Sequence, residues 1–201
     1  MSFIYLASQS PRRRQLLEQI GVRCEMLLAT ADEDVEALEA TVEGELPRAY
    51  VERVTGAKLR AAVARHAARA LAPAPILCAD TTVALGRRIL GKPADAGDAA
   101  RILGLLAGKS HRVITAVAVA RGARTRLLAS VSHVTFAPLD AQRIEAYVAS
   151  GEPFGKAGAY AIQSGAAAWI TRIEGSYTGI MGLPLYETAT LLRWAGVEGG
   201  P

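Results

Sequence analysis

The apolar positions of the chain follow two alternating rhythms. Phe3-Ile4-Tyr5-Leu6 is a short apolar run that predicts a first strand, and it leads straight into Ser8-Gln9-Ser10-Pro11. Ser10 suits a helix N-cap and Pro11 the first helical position, while Leu16, Leu17 and Ile20 recur at helical spacing. Gly21 ends that helix, and Val22 to Leu28 reads as a second strand. The acidic stretch from Asp32 to Glu45 is expected to be a loop or poorly ordered connection. From Pro47 to about Ala70 the pattern is helical, with Val51, Val54, Ala57, Leu59 and Val63 on its apolar side, until Pro73-Ala74-Pro75 breaks it.

Ile76-Leu77-Cys78-Ala79 is a continuous apolar run, read as a buried strand that delivers Asp80 at its end. Thr82 to Leu85 and Ile89-Leu90 look extended around a turn at Gly86. Asp95 or Asp98 starts a further helix, which Gly108 closes. His111 to Ala120 and Thr125 to Phe136 are two β-rich runs separated by Gly122, and they predict a hairpin. Asp140 caps a helix ending at Gly151, Ala167 to Ile173 reads as a strand, and a last helix runs from near Pro184 through Trp194. Strands and helices alternate, but some strands follow one another directly. The expected fold is therefore α/β with a mixed sheet, in one domain spanning residues 1–201.

Composition narrows the function classes. Hydrophobic residues make up 51% of the 201, which fits a packed fold rather than disorder. No apolar run reaches the roughly 18 residues of a membrane span, and the start lacks the basic region of a signal peptide. Cys24 and Cys78 sit in apolar surroundings without metal-ligand spacing, and they read as small core hydrophobes in a reducing cytoplasm. The net charge of +4 is mild and aromatics are only 5%, so a small polyanion suits the chain better than a nucleic acid. His66, His111 and His133 lack zinc-site spacing and read as structural or surface residues. The fingerprints of serine hydrolases, P-loop enzymes and dinucleotide oxidoreductases are missing.

Four groups of residues carry candidate chemistry. Ser8-Gln9-Ser10-Pro11-Arg12-Arg13-Arg14 sets hydroxyls and guanidinium groups beside a helix N-terminus, a credible phosphate cradle. A capped helix with solvated arginines accounts for the same residues. A basic first turn, however, opposes the helix dipole, and a bound anion would relieve that opposition. Asp80 in Ala79-Asp80-Thr81-Thr82 can bind a divalent metal, deprotonate a water, or simply start a turn. Lys58, Lys92 and Lys156 each lie beside small residues; singly they read as surface charges, together they match the roughly four negative charges of a triphosphate. Gln163, near Gly175-Ser176-Tyr177 and Gly182-Leu183-Pro184, offers the paired donor and acceptor that a uracil or thymine edge presents, although ordinary turn chemistry explains the same segment.

Taken in order, Leu6–Arg13, Arg53–Lys58, Ala79-Asp80-Thr81, Leu90-Gly91-Lys92-Pro93, Lys156–Gln163, Gly175-Ser176-Tyr177 and Gly182-Leu183-Pro184 resemble the Maf-like nucleotide pyrophosphatases over nearly the whole chain. The resemblance implies an elongated mixed sheet in two lobes around a deep cleft, a homodimer, and Mg- or Mn-assisted hydrolysis between the α- and β-phosphates. It implies Asp80 as proton acceptor, with Glu33 assisting the metal. Ser8, Ser10, Arg13, Lys58, Lys92 and Lys156 would hold the phosphates, and Arg12, Thr81 and Gln163 would set substrate choice, as in the branch acting on dTTP and UTP. The branch favouring 7-methyl-GTP typically has an aromatic where Arg12 stands. Two departures stand out: Gly155 replaces the family's usual Asp before the lysine, and Ser164 replaces the usual Gly after Gln163. A non-catalytic regulator of cell division and a nucleic-acid binder are the competing readings.

Overall fold

A computed structural model describes residues 3–30, 33–34 and 37–198; Met1, Ser2 and Asp32, which the sequence reading touched, lie outside them. The described residues form seven strands: β1 (Ile4–Leu6), β2 (Cys24–Met26), β3 (Ile76–Leu85), β4 (Arg88–Leu90), β5 (Ser110–Arg121), β6 (Arg124–Phe136) and β7 (Ile170–Glu174). Six helices accompany them: α1 (Pro11–Gln19), α2 (Pro47–Ala68), α3 (Ala96–Leu106), α4 (Ala141–Ala149), α5 (Tyr177–Met181) and α6 (Leu185–Trp194). The strands form one mixed sheet in the order β2-β1-β3-β5-β6-β7, with β4 paired to β3. The β2-β1-β3 portion is parallel and the remainder antiparallel. The expected α/β fold with flanking helices is thus what the chain adopts.

Local chemistry explains most boundaries. Asp95, not Asp98, is the cap of α3: its carboxylate accepts from the Asp98 N–H at 2.8 Å, satisfying a donor the helix leaves free. Asp140 does the same for α4 through the Arg143 N–H at 2.8 Å. The β5–β6 hairpin forms as expected, with Arg121 paired to Arg124 across a turn in which Gly122 has φ +57°. Other elements differ from the expectation. β2 is only Cys24–Met26, and β7 begins at Ile170 because Gly165–Trp169, rich in alanine, winds into a 3-10 turn. The acidic connection also carries a 3-10 turn, at Ala37–Glu39. Both cysteines are free, and Cys78 is buried.

The long strand β3 ties the molecule together. Its first half packs Ile76 and Cys78 against Leu59 and Ala62 of α2, and Leu77 and Ala79 against Leu16 and Leu17 of α1 and Leu191 and Leu192 of α6. Its far end brings Val83 into a separate cluster with Ile102, Leu103 and Leu106 of α3 and Tyr147 of α4. Val51 and Val54 of α2 are fully buried against Ile114 and Ala116 of β5, each contributing about 1.5–3 kcal/mol relative to exposure. Two apolar centres thus lie at opposite ends of one strand.

Candidate active site

The sequence reading ended the strand at Ala79. Instead β3 runs unbroken through Leu85, so Asp80 stands mid-strand. Thr81, Thr82 and Val83 are β-branched and keep the backbone extended past the aspartate. What opens the site is pairing. On one edge of β3, β1 pairs only with Ile76 and Leu77, and β4 pairs only with Val83, Ala84 and Leu85. Between these partners the edge is bare, and the chain leaving β1 turns away there into α1. A cleft of about 910 Å³ fills the gap, lined by Ser8, Ser10, Arg12, Arg13, Glu33, Glu39, Lys58, Asp80, Thr81, Lys92, Gly155 and Lys156, among others. Ligands of α/β sheets commonly bind beyond the carboxyl ends of parallel strands, and the end of β1 opens here.

Strand alternation sends neighbouring side chains to opposite faces. Asp80 lies on the α2 face with Ile76 and Cys78, where Lys58 donates to its Oδ1 at 2.8 Å. Lys58 also donates to Glu39 Oε1 at 2.7 Å, and Lys92 donates to Glu39 Oε2 at 2.9 Å. Burial of Lys58 works to lower its pKa, but Asp80 and Glu39 outweigh it and raise it. Thr81 lies on the other face. Thr115, its register partner in β5, donates to Gly179 O at 2.7 Å, so the 2.9 Å contact between the two hydroxyls runs from Thr81 to Thr115.

The opposite wall is the β1–α1 turn. Ser10 holds the N-cap position of α1, but its side chain makes no capping bond; the Ser10 N–H donates to Ser8 Oγ at 3.2 Å instead. Arg13 donates through Nη1 to Ser8 Oγ at 3.0 Å, through Nε to Gly182 O at 2.8 Å, and through Nη2 to Thr81 Oγ1 at 3.5 Å. Arg12 Nε donates to Met181 O at 3.3 Å. Gly182 has φ +115°, and an added Cβ would sit 3.6 Å from Thr81 Oγ1 and 3.7 Å from Arg13 Nε, so the backbone conformation itself calls for glycine. Arg14 points elsewhere and pairs with Glu18 at 2.8 Å. Lys156 donates to the Glu152 and Phe154 carbonyls, and burial, followed by repulsion from Arg12, lowers its pKa. Gly158, two residues on, presses so closely on Val83 that an added Cβ would come within 2.8 Å, and its N–H donates to Gly91 O beside Lys92.

Among the described residues, Arg12, Arg13 and Lys156 form no ion pair. Ser8, Ser10, Arg12, Arg13, Glu33, Lys58, Asp80, Thr81, Lys92 and Lys156 all line this cleft, whereas Gln163 and Arg14 do not. Gln163 is exposed: Ser164 ties its hydroxyl to Ala161 O at 2.9 Å and approaches Tyr147 OH at 3.2 Å, which closes a local turn with Gln163 on its outer side. Ser164 likewise lies outside the cleft lining. Glu33 does line the cleft, but its carboxylate accepts from Arg65 at 2.7 and 2.5 Å and from Thr30; the guanidinium hydrogen bond holds its pKa down to about 2. Glu39 was missed because nothing distinguishes it from the other acids of its segment. Thr115 had a visible signal, a lone hydroxyl in the apolar run Val113–Val119. The apolar end of the cleft is built from Val83, Val113, Tyr160, Ile162 and Ile180, and Tyr160 OH meets His111 Nε2 at 2.8 Å. Burial holds His111 down to about 4, so that imidazole is neutral near pH 7.

Among the described residues, no three His, Cys, Asp or Glu side chains gather to hold a metal, and no helix is long and apolar enough to cross a membrane. The fold and the cleft together define a mixed α/β protein whose bare mid-sheet edge faces converging cations. The chain belongs to the Maf-like protein family, whose model matches residues 3–195. It is 63% identical over 196 residues to a protein of a Polaromonas species named dTTP/UTP pyrophosphatase, covering 98% of this chain and 97% of that one. Proteins of the same name from Cupriavidus metallidurans and Burkholderia pseudomallei are 62% and 58% identical, covering 98% and 97% of this chain and 98% and 94% of theirs.

Proposed function

We propose that this protein hydrolyses dTTP and UTP to the monophosphate and pyrophosphate, with Asp80 as the proton acceptor. The observation that carries the reading is Asp80 on the bare edge of β3, in one cleft with Arg12, Arg13 and Lys156, which form no ion pair among the described residues. Three cations in one cleft repel one another, and a phosphate chain relieves that cost. The free N–H groups at the start of α1 and the Ser8 and Ser10 hydroxyls add donors of the kind phosphate oxygens accept. The relatives' names supply the bases, and the apolar end of the cleft suits a pyrimidine ring better than further charge.

In this mechanism the triphosphate lies along the β1–α1 turn. Lys58, donating to Asp80 Oδ1 at 2.8 Å, orients the Asp80 carboxylate. Asp80 orients the attacking water and takes its proton; Arg13, fixed by three oxygen acceptors, meets charge that builds on the phosphate oxygens. Positioning and charge stabilisation therefore dominate. A divalent cation, Mg or Mn, fits this donor set: Lys58 engages only one oxygen of Asp80, and Mg is commonly held by one or two carboxylates plus substrate phosphates. When bound it supplies Lewis-acid stabilisation of phosphate charge. Glu33 joins it only by releasing Arg65. A homodimer in the cytoplasm is part of the proposal, carried by the family resemblance.

The test is pyrophosphate release from a panel of natural and modified triphosphates, with and without Mg or Mn. dTTP and UTP are expected to lead the panel. Replacing Asp80→Asn is expected to cut turnover by at least about a thousandfold while nucleotide still binds. Full turnover by that variant removes Asp80 from the mechanism.

A further inference from the structure

Glu39 is anchored more firmly than a residue of an acidic loop needs to be. Its backbone carbonyl accepts from Tyr50 OH at 2.9 Å, and the next carbonyl, Ala40 O, accepts from Arg53 Nη2 at 2.9 Å. Arg53 is itself clamped by Glu45 at 2.7 and 2.8 Å. Tyr50, Arg53 and Lys58 recur at roughly helical spacing on α2, so one side of that helix holds the whole turn. The result is a carboxylate aimed into the cleft, one oxygen on Lys58 and the other on Lys92. Burial alone would raise its pKa, but the two ammonium groups more than offset this, so Glu39 is ionised.

These are two of the three lysines assigned above to the triphosphate. A phosphate group has the same needs as the Glu39 carboxylate: negative charge and oxygen acceptors placed between two ammonium groups. Among the described residues, the other wall of the cleft has no such occupant. We propose that Glu39 is a positioning residue that stands in for a substrate phosphate, holding Lys58 and Lys92 at phosphate-binding geometry in the free protein and yielding them when the triphosphate arrives. This deepens the proposed function and rests on its phosphate assignment. Displacing an ionised carboxylate from two lysines is offset by a ligand with several charges and not by one with few. Glu39 therefore biases the cleft toward triphosphates and against the retained monophosphate product.

The test is calorimetric binding of tripolyphosphate and UMP to the wild type and to Glu39→Gln, alongside steady-state kinetics with UTP. Removing the competing charge should tighten tripolyphosphate binding by about fivefold or more, and lower KM for UTP by a similar factor. UMP affinity should also rise, narrowing the preference for the longer phosphate chain. A residue that only braces the turn would give weaker binding when altered. Should Glu39→Gln fail to fold, Tyr50→Phe removes an anchor of the turn while leaving all charges in place, and should shift affinity the same way by less. Unchanged or weaker tripolyphosphate binding in the folded variant overturns the role of Glu39, even if the wild type hydrolyses UTP. A wild type that neither binds tripolyphosphate nor releases pyrophosphate overturns the proposed function and this inference together.

Discussion

The two walls of the cleft carry cations in opposite states. On the α2 side, Lys58 and Lys92 are already satisfied by Asp80 and Glu39. On the α1 side, among the described residues, Arg12, Arg13 and Lys156 donate only to hydroxyls and backbone carbonyls, which orient them without neutralising them. An unpaired, fixed cation gives its full attraction to an incoming anion; a paired one must first give up its partner. The difference teaches that affinity and release can be divided between walls. The α1 wall supplies attraction, and the α2 wall tempers it while holding Asp80 in place.

The largest effect that would sharpen this comparison is expected at Arg13. Its guanidinium serves Ser8, Gly182 and Thr81 at once, and a lysine ammonium on a flexible stem cannot reproduce that planar fork. Burial lowers the Arg13 pKa, with Asp80 acting in the opposite direction, yet a guanidinium remains charged at any working pH. Arg13→Lys should therefore keep the charge, lose the geometry, and reduce kcat/KM for UTP by about a hundredfold. A loss under about threefold would mean that charge alone matters on this wall, and the proposed division of labour would fail.

Lys92 provides the counterpart. Its side chain is 48% exposed and starts paired with Glu39, so its net attraction for substrate is already reduced. Lys92→Met should raise KM by about tenfold or less and leave kcat nearly unchanged, because a half-exposed charge contributes mainly to capture. The split between KM and kcat checks it. A kcat loss matching that of Arg13→Lys would make the walls equivalent.

How much of this was legible beforehand depended on the range of the interactions. Features set by neighbouring residues were readable: the cap at Asp140, the Gly122 hairpin, the Ser10–Pro11 helix start, and the gathering of serines and basic residues beside it. Asp80 stands out in the sequence, but its mid-strand setting does not. A run of apolar residues marks where a strand is buried and not where its pairing partners stop, and it is the gap between β1 and β4 that makes Asp80 accessible. Glu39 and Arg65 were invisible because their roles arise from contacts 19 and 32 residues away, with Lys58 and Glu33 respectively. Gln163 lies outside the cleft lining for a related reason: its chemistry suits a pyrimidine edge, but side-chain chemistry does not report which side of a turn a residue takes. The lone threonine in an apolar strand, Thr115, is the signal that could have been used and was not.

The smallest expected effect is the most pointed, because two ideas predict opposite signs. Gly155 has φ +72°, with nothing within 4 Å of where a Cβ would stand, and it lines the cleft beside Lys156. Aspartate is among the few side chains that tolerate such a backbone, so Gly155→Asp should fold. If the α1 wall works through cations left unpaired, a carboxylate next to Lys156 gives one of them a partner and makes this wall resemble the other. KM for UTP should then rise about twofold to threefold with kcat unchanged, an effect that salt would diminish. If a carboxylate here instead assists the water or a metal, as the usual family residue suggests, kcat should rise. Steady-state kinetics of this one variant at two salt concentrations decides between them, and a higher kcat would show that the unpaired wall is missing a residue rather than exploiting its absence.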